Sequence, residues 1–315
     1  MAIAGVETST RHHGPDGGTL LDVIIVTVDG ARELLRDCLT SLRRHPPTAG
    51  PSVVWLVDNA TRDGTASMVQ AEFPGVRLIT LAREVGFSAG NNVALRRATS
   101  PFALLLNPDT EVSEGALDHA IEALRERPDA GVLGVRLVRR DGSFDHAAKR
   151  QFPTMVGALG HFTGVGRRTA GGALAQYRAP GVDELGCGEV DAVNGAFMLL
   201  RREAFAAVGL LDERYRMYGE DLDWCYRFKR AGWRVLYDGR ATVVHVKGGT
   251  TILEARRGRH RALATNVMFH RAIGRFYRKF HAGEHPVVDL AVYGALGVKL
   301  VISVSRSAVA RRGLR

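Results

Sequence analysis

The chain has 315 residues, 45% of them hydrophobic and 24% charged, with a formal net charge of +10. This composition excludes a disordered or fibrous chain and fits one large α/β domain or two small ones. Three dispersed cysteines, Cys38, Cys187 and Cys225, exclude a zinc knuckle or a disulfide framework and point to a reduced, cytosolic compartment. The positive charge favours anionic partners, without choosing among nucleic acid, phospholipid headgroups and phosphorylated substrates.

Residues 1–19 are polar and Gly-rich and lack the apolar core of a signal peptide, so they are predicted to be a disordered tail in which His12 and His13 have no role. Leu20 to Val28 is a nearly continuous apolar, β-branched run, the pattern of a buried parallel strand. Ala31 to Arg44 places Leu34, Leu35, Cys38, Leu39 and Leu42 on one helical face, and Pro46-Pro47 ends it. Val53 to Val57 is a second strand, closed by Asp58-Asn59. A helix follows from Asp63 to about Phe73, then a third strand from Val76 to Leu81. Asn91 to Ala98 reads as a short helix. Phe102 to Leu106 is a fourth strand, stopped by Asn107-Pro108-Asp109. The alternation predicts a parallel sheet flanked by helices, with ligands outside the carboxyl ends of its strands. Thr27 to Asp29, Asp58-Asn59 and Asn107 to Asp109 stand at such ends.

Further on, Ala116 to Leu124 is an amphipathic helix and Gly131 to Val138 a strand. Arg139 to Leu185 has weak periodicity and reads as a long functional loop or lid. Gly164-x-Gly166 within it has no preceding strand and is not taken as a phosphate loop. Val190 to Leu200 reads as a strand interrupted at Asn194-Gly195, Glu220 to Ala231 as a helix, and Val235 to Tyr237 and Thr242 to Val246 as two short strands. Glu254 to His285 is strongly basic. Pro286 to Val304 is apolar but contains Asp289 and Lys299, which suits a membrane surface better than a spanning helix.

Several residues carry chemistry in this layout, each beside an ordinary structural reading. Asp109 is a rigidly held carboxylate at a strand end, suited to a hard cation, although Asn-Pro-Asp is also good turn chemistry. Asp58 can accept hydrogen bonds from a base or a ribose, or cap a turn. Gly86 to Asn92 is a Gly-rich turn opening a helix, where backbone approach and helix polarity favour phosphate. Glu220, Asp221 and Asp223 surround a helix start, where one carboxylate can take a proton from an attacking hydroxyl, or the group simply caps the helix. His245 ends a strand before Lys247-Gly248-Gly249, as a structural imidazole or as a contact to metal or phosphate.

These pieces resemble, in order and spacing, the family 2 glycosyltransferases, and within them the bacterial rhamnosyltransferase-like branch. The matching segments are Val23 to Thr27, Val57 to Thr65, Gly86 to Asn92, Leu106 to Thr110, Asn194 to Phe197, Leu211 to Glu213, Met217 to Asp223, Ala231 to Val235, and His245. The resemblance implies a GT-A fold over 20–251, with a Rossmann-like nucleotide-sugar-binding half (20–112), an acceptor half (113–251) and a basic, amphipathic helical extension (252–315). It implies that Thr27, Asp29, Asp58, Asn59, Gly86, Asn91, Asn107 and Asp109 form the nucleotide-sugar site. Asp109 and His245 would hold a divalent cation, Mg2+ or Mn2+. Asp221, with Glu220 beside it, would be the general base of an inverting direct displacement. Asn194, Gly195, Asp223 and Trp224 would meet the acceptor, with Trp224 stacking on a sugar. Two departures fall near the donor pocket: Val28-Asp29 stands where the family usually has Tyr-Asn, and Glu84-Val85 where an Asn is usual. The expected donor is a dTDP-linked deoxysugar such as rhamnose, with UDP- and GDP-sugars open.

The implied acceptor is polyprenyl-diphosphate-linked or a polysaccharide. The expected location is the cytoplasm, peripherally at the inner face of the membrane, with the basic C-terminal region on anionic lipid and a homodimer left open. The competing reading is a catalytically inactive nucleotide-sugar-binding or scaffold protein. A specific nucleic-acid partner is not expected, because charge alone suggests one and no recognition motif accompanies it.

Overall fold

The computed structural model describes residues 6–7, 18–152, 178–246, 259–283 and 285–309. The readings made at His12-His13, at 153–177 of the proposed lid with Gly164-x-Gly166, at Lys247 to Gly249, and at Arg256-Arg257 lie outside the described residues.

The strands are β1 (Val6–Glu7), β2 (Leu21–Thr27), β3 (Ser52–Asp58), β4 (Arg77–Leu81), β5 (Phe102–Leu106), β6 (Thr110–Val112), β7 (Ala130–Val138), β8 (Lys149–Arg150), β9 (Cys187–Glu189), β10 (Ala192–Val193), β11 (Phe197–Arg201) and β12 (Arg234–His245). The helices are α1 (Arg32–Arg44), α2 (Thr65–Glu72), α3 (Phe87–Leu95), α4 (Ala116–Arg125), α5 (Arg202–Val208), α6 (Glu220–Arg230), α7 (Arg259–Phe280) and α8 (Pro286–Val309).

One mixed sheet runs β1-β4-β3-β2-β5-β11-β7-β12-β6, with β9 on β12. Its first half is the predicted parallel unit, β4-β3-β2-β5. β2 and β5 are buried at every residue, as continuous apolar strands covered on both faces must be. Each fully buried Leu or Ile there contributes about 1.5–3 kcal/mol. Chain order reverses between β2 and β5, which opens a crevice at their carboxyl ends. β11 enters antiparallel between β5 and β7 and joins the two halves into one sheet.

Three expectations are corrected, and the helical form of the basic extension holds. The tail was read as disordered, but Val6–Glu7 pairs antiparallel with β4. The two short strands after Val235 are one strand, β12, whose register shift between Asp238 and Thr242 made it look broken in sequence. The Arg139 to Leu185 loop contains β8, which pairs with β10 in a separate two-stranded sheet. The basic extension forms the hairpin α7-α8 and docks on α6: Lys279 Nζ meets Asp212 at 2.8 Å and Asp223 at 2.5 Å, and Phe276 and Phe280 pack on Tyr226.

Candidate active site

The crevice is stitched together from strand ends. Asn59, one residue past β3, donates its backbone N–H to Thr27 O at 3.2 Å, and its Oδ1 accepts the Val85 N–H at 2.9 Å. Asp58 accepts the Thr61 N–H at 2.9 Å, and burial pushes its carboxyl up. Asp29 accepts the Arg62 N–H at 2.6 Å, and Asp63 accepts the Gly30 N–H at 2.5 Å, which ties the β2–α1 turn to the β3–α2 turn. Thr27 is wholly buried, and its Oγ1 has no hydrogen-bond partner among the described residues. It therefore supports the crevice floor rather than lining it.

Gly86 leads into α3 at φ 88°, and a Cβ there would stand 2.7 Å from Arg216 O. The close approach that requires a glycine is thus to the chain before α6, and Phe87 N–H completes it with a 2.7 Å bond to Arg216 O. Asn91, expected at the donor, is buried and turns its amide back to Phe87 O at 2.9 Å. The causes differ: Gly86 is held by the chain before α6, and Asn91 by its own helix.

Asp109 and His245 meet because β6 pairs with β12. His245 lies opposite Thr110, and Val246 N–H bonds to Asp109 O at 2.8 Å. His245 Nε2 faces Asp109 Oδ1 at 3.5 Å, while Nδ1 faces Asp145 Oδ2 at 3.3 Å. Burial opposes charge on this imidazole, but the two carboxylates outweigh it and push it up to about 9. Asp145 was missed from sequence; it lies 100 positions from its partner, inside the stretch read as a loop.

On the acceptor side, α6 begins at Glu220, after Tyr218 and Gly219, both at positive φ. Asp221 Oδ2 accepts Arg150 Nη2 at 2.5 Å and the Gly195 N–H at 3.4 Å, and its Oδ1 accepts the Leu222 N–H at 2.8 Å. Arg150 also reaches Val193 O at 2.8 Å, held there by the β8–β10 ladder. It too was missed, because only tertiary pairing brings it to α6. Burial, with the Asp221 carboxylate beside it, pushes the Glu220 carboxyl up to about 8. Asn194 caps the turn by accepting the Ala196 N–H at 2.8 Å, and Asn107 N–H bonds to Ala196 O at 3.0 Å, so Gly195 stands between the donor-side and acceptor-side carboxylates.

Two acceptor residues are corrected. Trp224 is fully buried, its Nε1–H bonded to Gly209 O at 2.8 Å, so it cannot stack on a sugar. Asp223 is also fully buried, paired with Arg227 at 2.9 Å and with Lys279. Both serve the packing of α6 rather than a ligand.

The donor set fits a hard cation. One carboxylate and one imidazole nitrogen converge, and the other imidazole nitrogen is held by a carboxylate, the usual support of a metal-bound histidine. Among the described residues no three His, Cys, Asp or Glu side chains form a complete cage. A cation here would complete its shell with diphosphate oxygens and water.

A four-stranded parallel unit, an acid–imidazole pair at its crevice and buried carboxylates across from it agree with a glycosyltransferase of the GT-A fold. The chain belongs to glycosyl transferase family 2, whose model matches residues 22–209. It is 32% identical, over 74% of this chain and 78% of the relative, to N-acetylglucosaminyl-diphospho-decaprenol L-rhamnosyltransferase of Mycobacterium tuberculosis. It is 28% identical to rhamnosyltransferase WbbL of Escherichia coli over 51% of this chain and 60% of that protein. Among solved structures it resembles mannosyltransferase PcManGT from Pyrobaculum calidifontis in complex with GDP-Man and Mn2+, at TM-score 0.56 and 18% identity, over 94% of this chain and 75% of that one. That likeness fixes the fold.

Proposed function

We propose that this enzyme moves a deoxyhexose, rhamnose from dTDP-rhamnose, to a hydroxyl of a polyprenyl-diphosphate-linked or polysaccharide acceptor in cell-envelope glycan synthesis. It works at the cytoplasmic face of the membrane as a peripheral protein. The observation that carries this reading is the 32% identity, over most of both chains, to an L-rhamnosyltransferase named for a diphospho-decaprenol acceptor.

Asp58 and Asn59 hold the nucleoside, with Asp29 at the same end of the crevice. Asp109 and His245 would hold Mg2+ or Mn2+, which would supply positive charge to the departing nucleoside diphosphate. Asp221 takes the proton of the acceptor hydroxyl as that oxygen attacks the anomeric carbon. Arg150 and the Gly195 N–H fix its orientation. Burial and the Asp221 carboxylate favour the neutral form of Glu220, which leaves Asp221 as the group that takes the proton. Direct attack inverts the anomeric centre.

The test combines thermal shift and transfer assays with dTDP-, UDP- and GDP-sugars, with and without Mn2+. A ligand bound only by the folded state raises its stability. We expect metal-dependent stabilisation by dTDP-rhamnose that is lost in Asp109→Ala. Asp221→Asn should keep the shift and lose turnover by about 10²–10⁴-fold. A response confined to UDP- or GDP-sugars would replace the donor, and no response to any sugar would favour the inactive scaffold.

A further inference from the structure

The α7–α8 hairpin is closed on one side only. Val292 and Leu296 of α8 are buried with Tyr277 of α7, and Ile273, Ala282 and Val288 pack around them. Asp289, the acid of α8, is turned into the hairpin, accepting Tyr277 Oη–H at 2.6 Å and the Gly283 N–H at 2.9 Å. The opposite side of α8 presents Val287 (82% exposed), Leu290 (76%), Tyr293 (41%), Val298 (60%) and Val301 (64%). The spacing from 287 through 290 and 298 to 301 follows the helical repeat and makes one stripe about 21 Å long. Of the helix residues with described side chains, only Asp289 and Lys299 are charged, and neither is exposed.

The charge of the segment that carries this stripe is equally uneven. Residues 252–315 hold thirteen Lys and Arg against three Asp and Glu, which is the whole of the chain's net charge of +10. The remaining residues balance. Among the described residues no helix is long and apolar enough to cross a membrane. A second copy is disfavoured as the occupant, since two such extensions would bring like charge together. A bilayer with anionic headgroups meets both demands at once: acyl chains for the stripe, and negative charge for the net positive charge of the segment that carries it.

We propose that α8 lies in the plane of an anionic bilayer with Val287, Leu290, Val298 and Val301 inserted below the headgroups. The hairpin is fastened to α6 through Lys279 and Asp223, so the inserted helix holds the acceptor half close to the lipid surface. The inference deepens the peripheral-membrane part of the proposed function.

The test is flotation of the full chain with phosphatidylcholine vesicles, with and without phosphatidylglycerol, at low and high salt. The deciding variant is Leu290→Lys/Val298→Lys, which removes apolar area and adds positive charge at exposed positions. We expect binding to the anionic vesicles, weakened by salt, and at least about tenfold weaker binding of the variant. Equal or tighter binding of the variant would mean attraction by charge alone and overturn the inserted face. Equal binding to neutral vesicles, or none to anionic ones, would overturn the choice of lipid. A dimer in sedimentation that the variant dissolves would make a second copy the occupant. The vesicles carry neither donor nor acceptor, so failure here leaves the transfer reading standing.

Discussion

Arg150 donates Nη2–H to Asp221 Oδ2 at 2.5 Å, and the two side chains are only 10% and 11% exposed. The same nitrogen also serves Val193 O, so the guanidinium joins the β8–β10 ladder to the start of α6. A lysine keeps the charge but carries it on a flexible stem, without the planar guanidinium that fixes the direction of the Nη2 donors toward both partners. Arg150→Lys is expected to lower kcat by about tenfold or more, with the donor KM nearly unchanged. Steady-state kinetics check this, and an unchanged kcat would remove Arg150 from the positioning of Asp221.

Glu220 supplies a pH signature. Its folded-state carboxyl is raised, so the unfolded chain ionises first as pH rises. Its contribution to stability is fully present below the ordinary carboxylate range and is lost as pH climbs to about 8. Glu220→Gln has no such loss. The melting temperature of the variant relative to wild type should therefore rise across that window and level off above it. A difference that stays flat with pH would show Glu220 to be ordinary.

Lys279 closes a pair of acids under α6. Hydrogen bonds from Arg214, and then from Lys279, hold the Asp212 carboxyl well below the usual carboxylate range, against the opposing effect of its burial. Lys279→Met leaves fully buried Asp223 with Arg227 as its remaining ion-pair partner. A loss of about 2–4 kcal/mol in urea unfolding at pH 7 is expected, shrinking as pH falls and Asp212 protonates. A loss below about 0.5 kcal/mol would mean that the hairpin docks through its aromatic contacts alone.

Asp145 stands behind His245. Asp145→Asn keeps the shape of the side chain but removes the charge that orients and enriches the imidazole. Apparent Mn2+ affinity, read from the metal dependence of donor-induced stabilisation, should fall about 10–100-fold. An unaltered Mn2+ titration would separate Asp145 from the cation site.

The strand ends were legible because an apolar run that stops at a polar residue marks where a parallel strand leaves the sheet. Asp58 and Asp109 could be found that way. Arg150 and Asp145 could not, because both lie in a stretch of weak periodicity and reach the site only through tertiary pairing. Asp223 was misplaced by adjacency: at 3.6 residues per turn it lies about 200° around the helix from Asp221. Trp224, three residues past Asp221, is the largest of the fully buried side chains and belongs to the core.

The bond from Phe87 N–H to Arg216 O spans the crevice at a point where no side chain is involved. It joins the amino end of the donor-side helix to the turn from which Glu220 and Asp221 project. Because the link runs from backbone to backbone, replacing the side chain of Arg216 leaves it in place, and the two walls of the crevice share one frame.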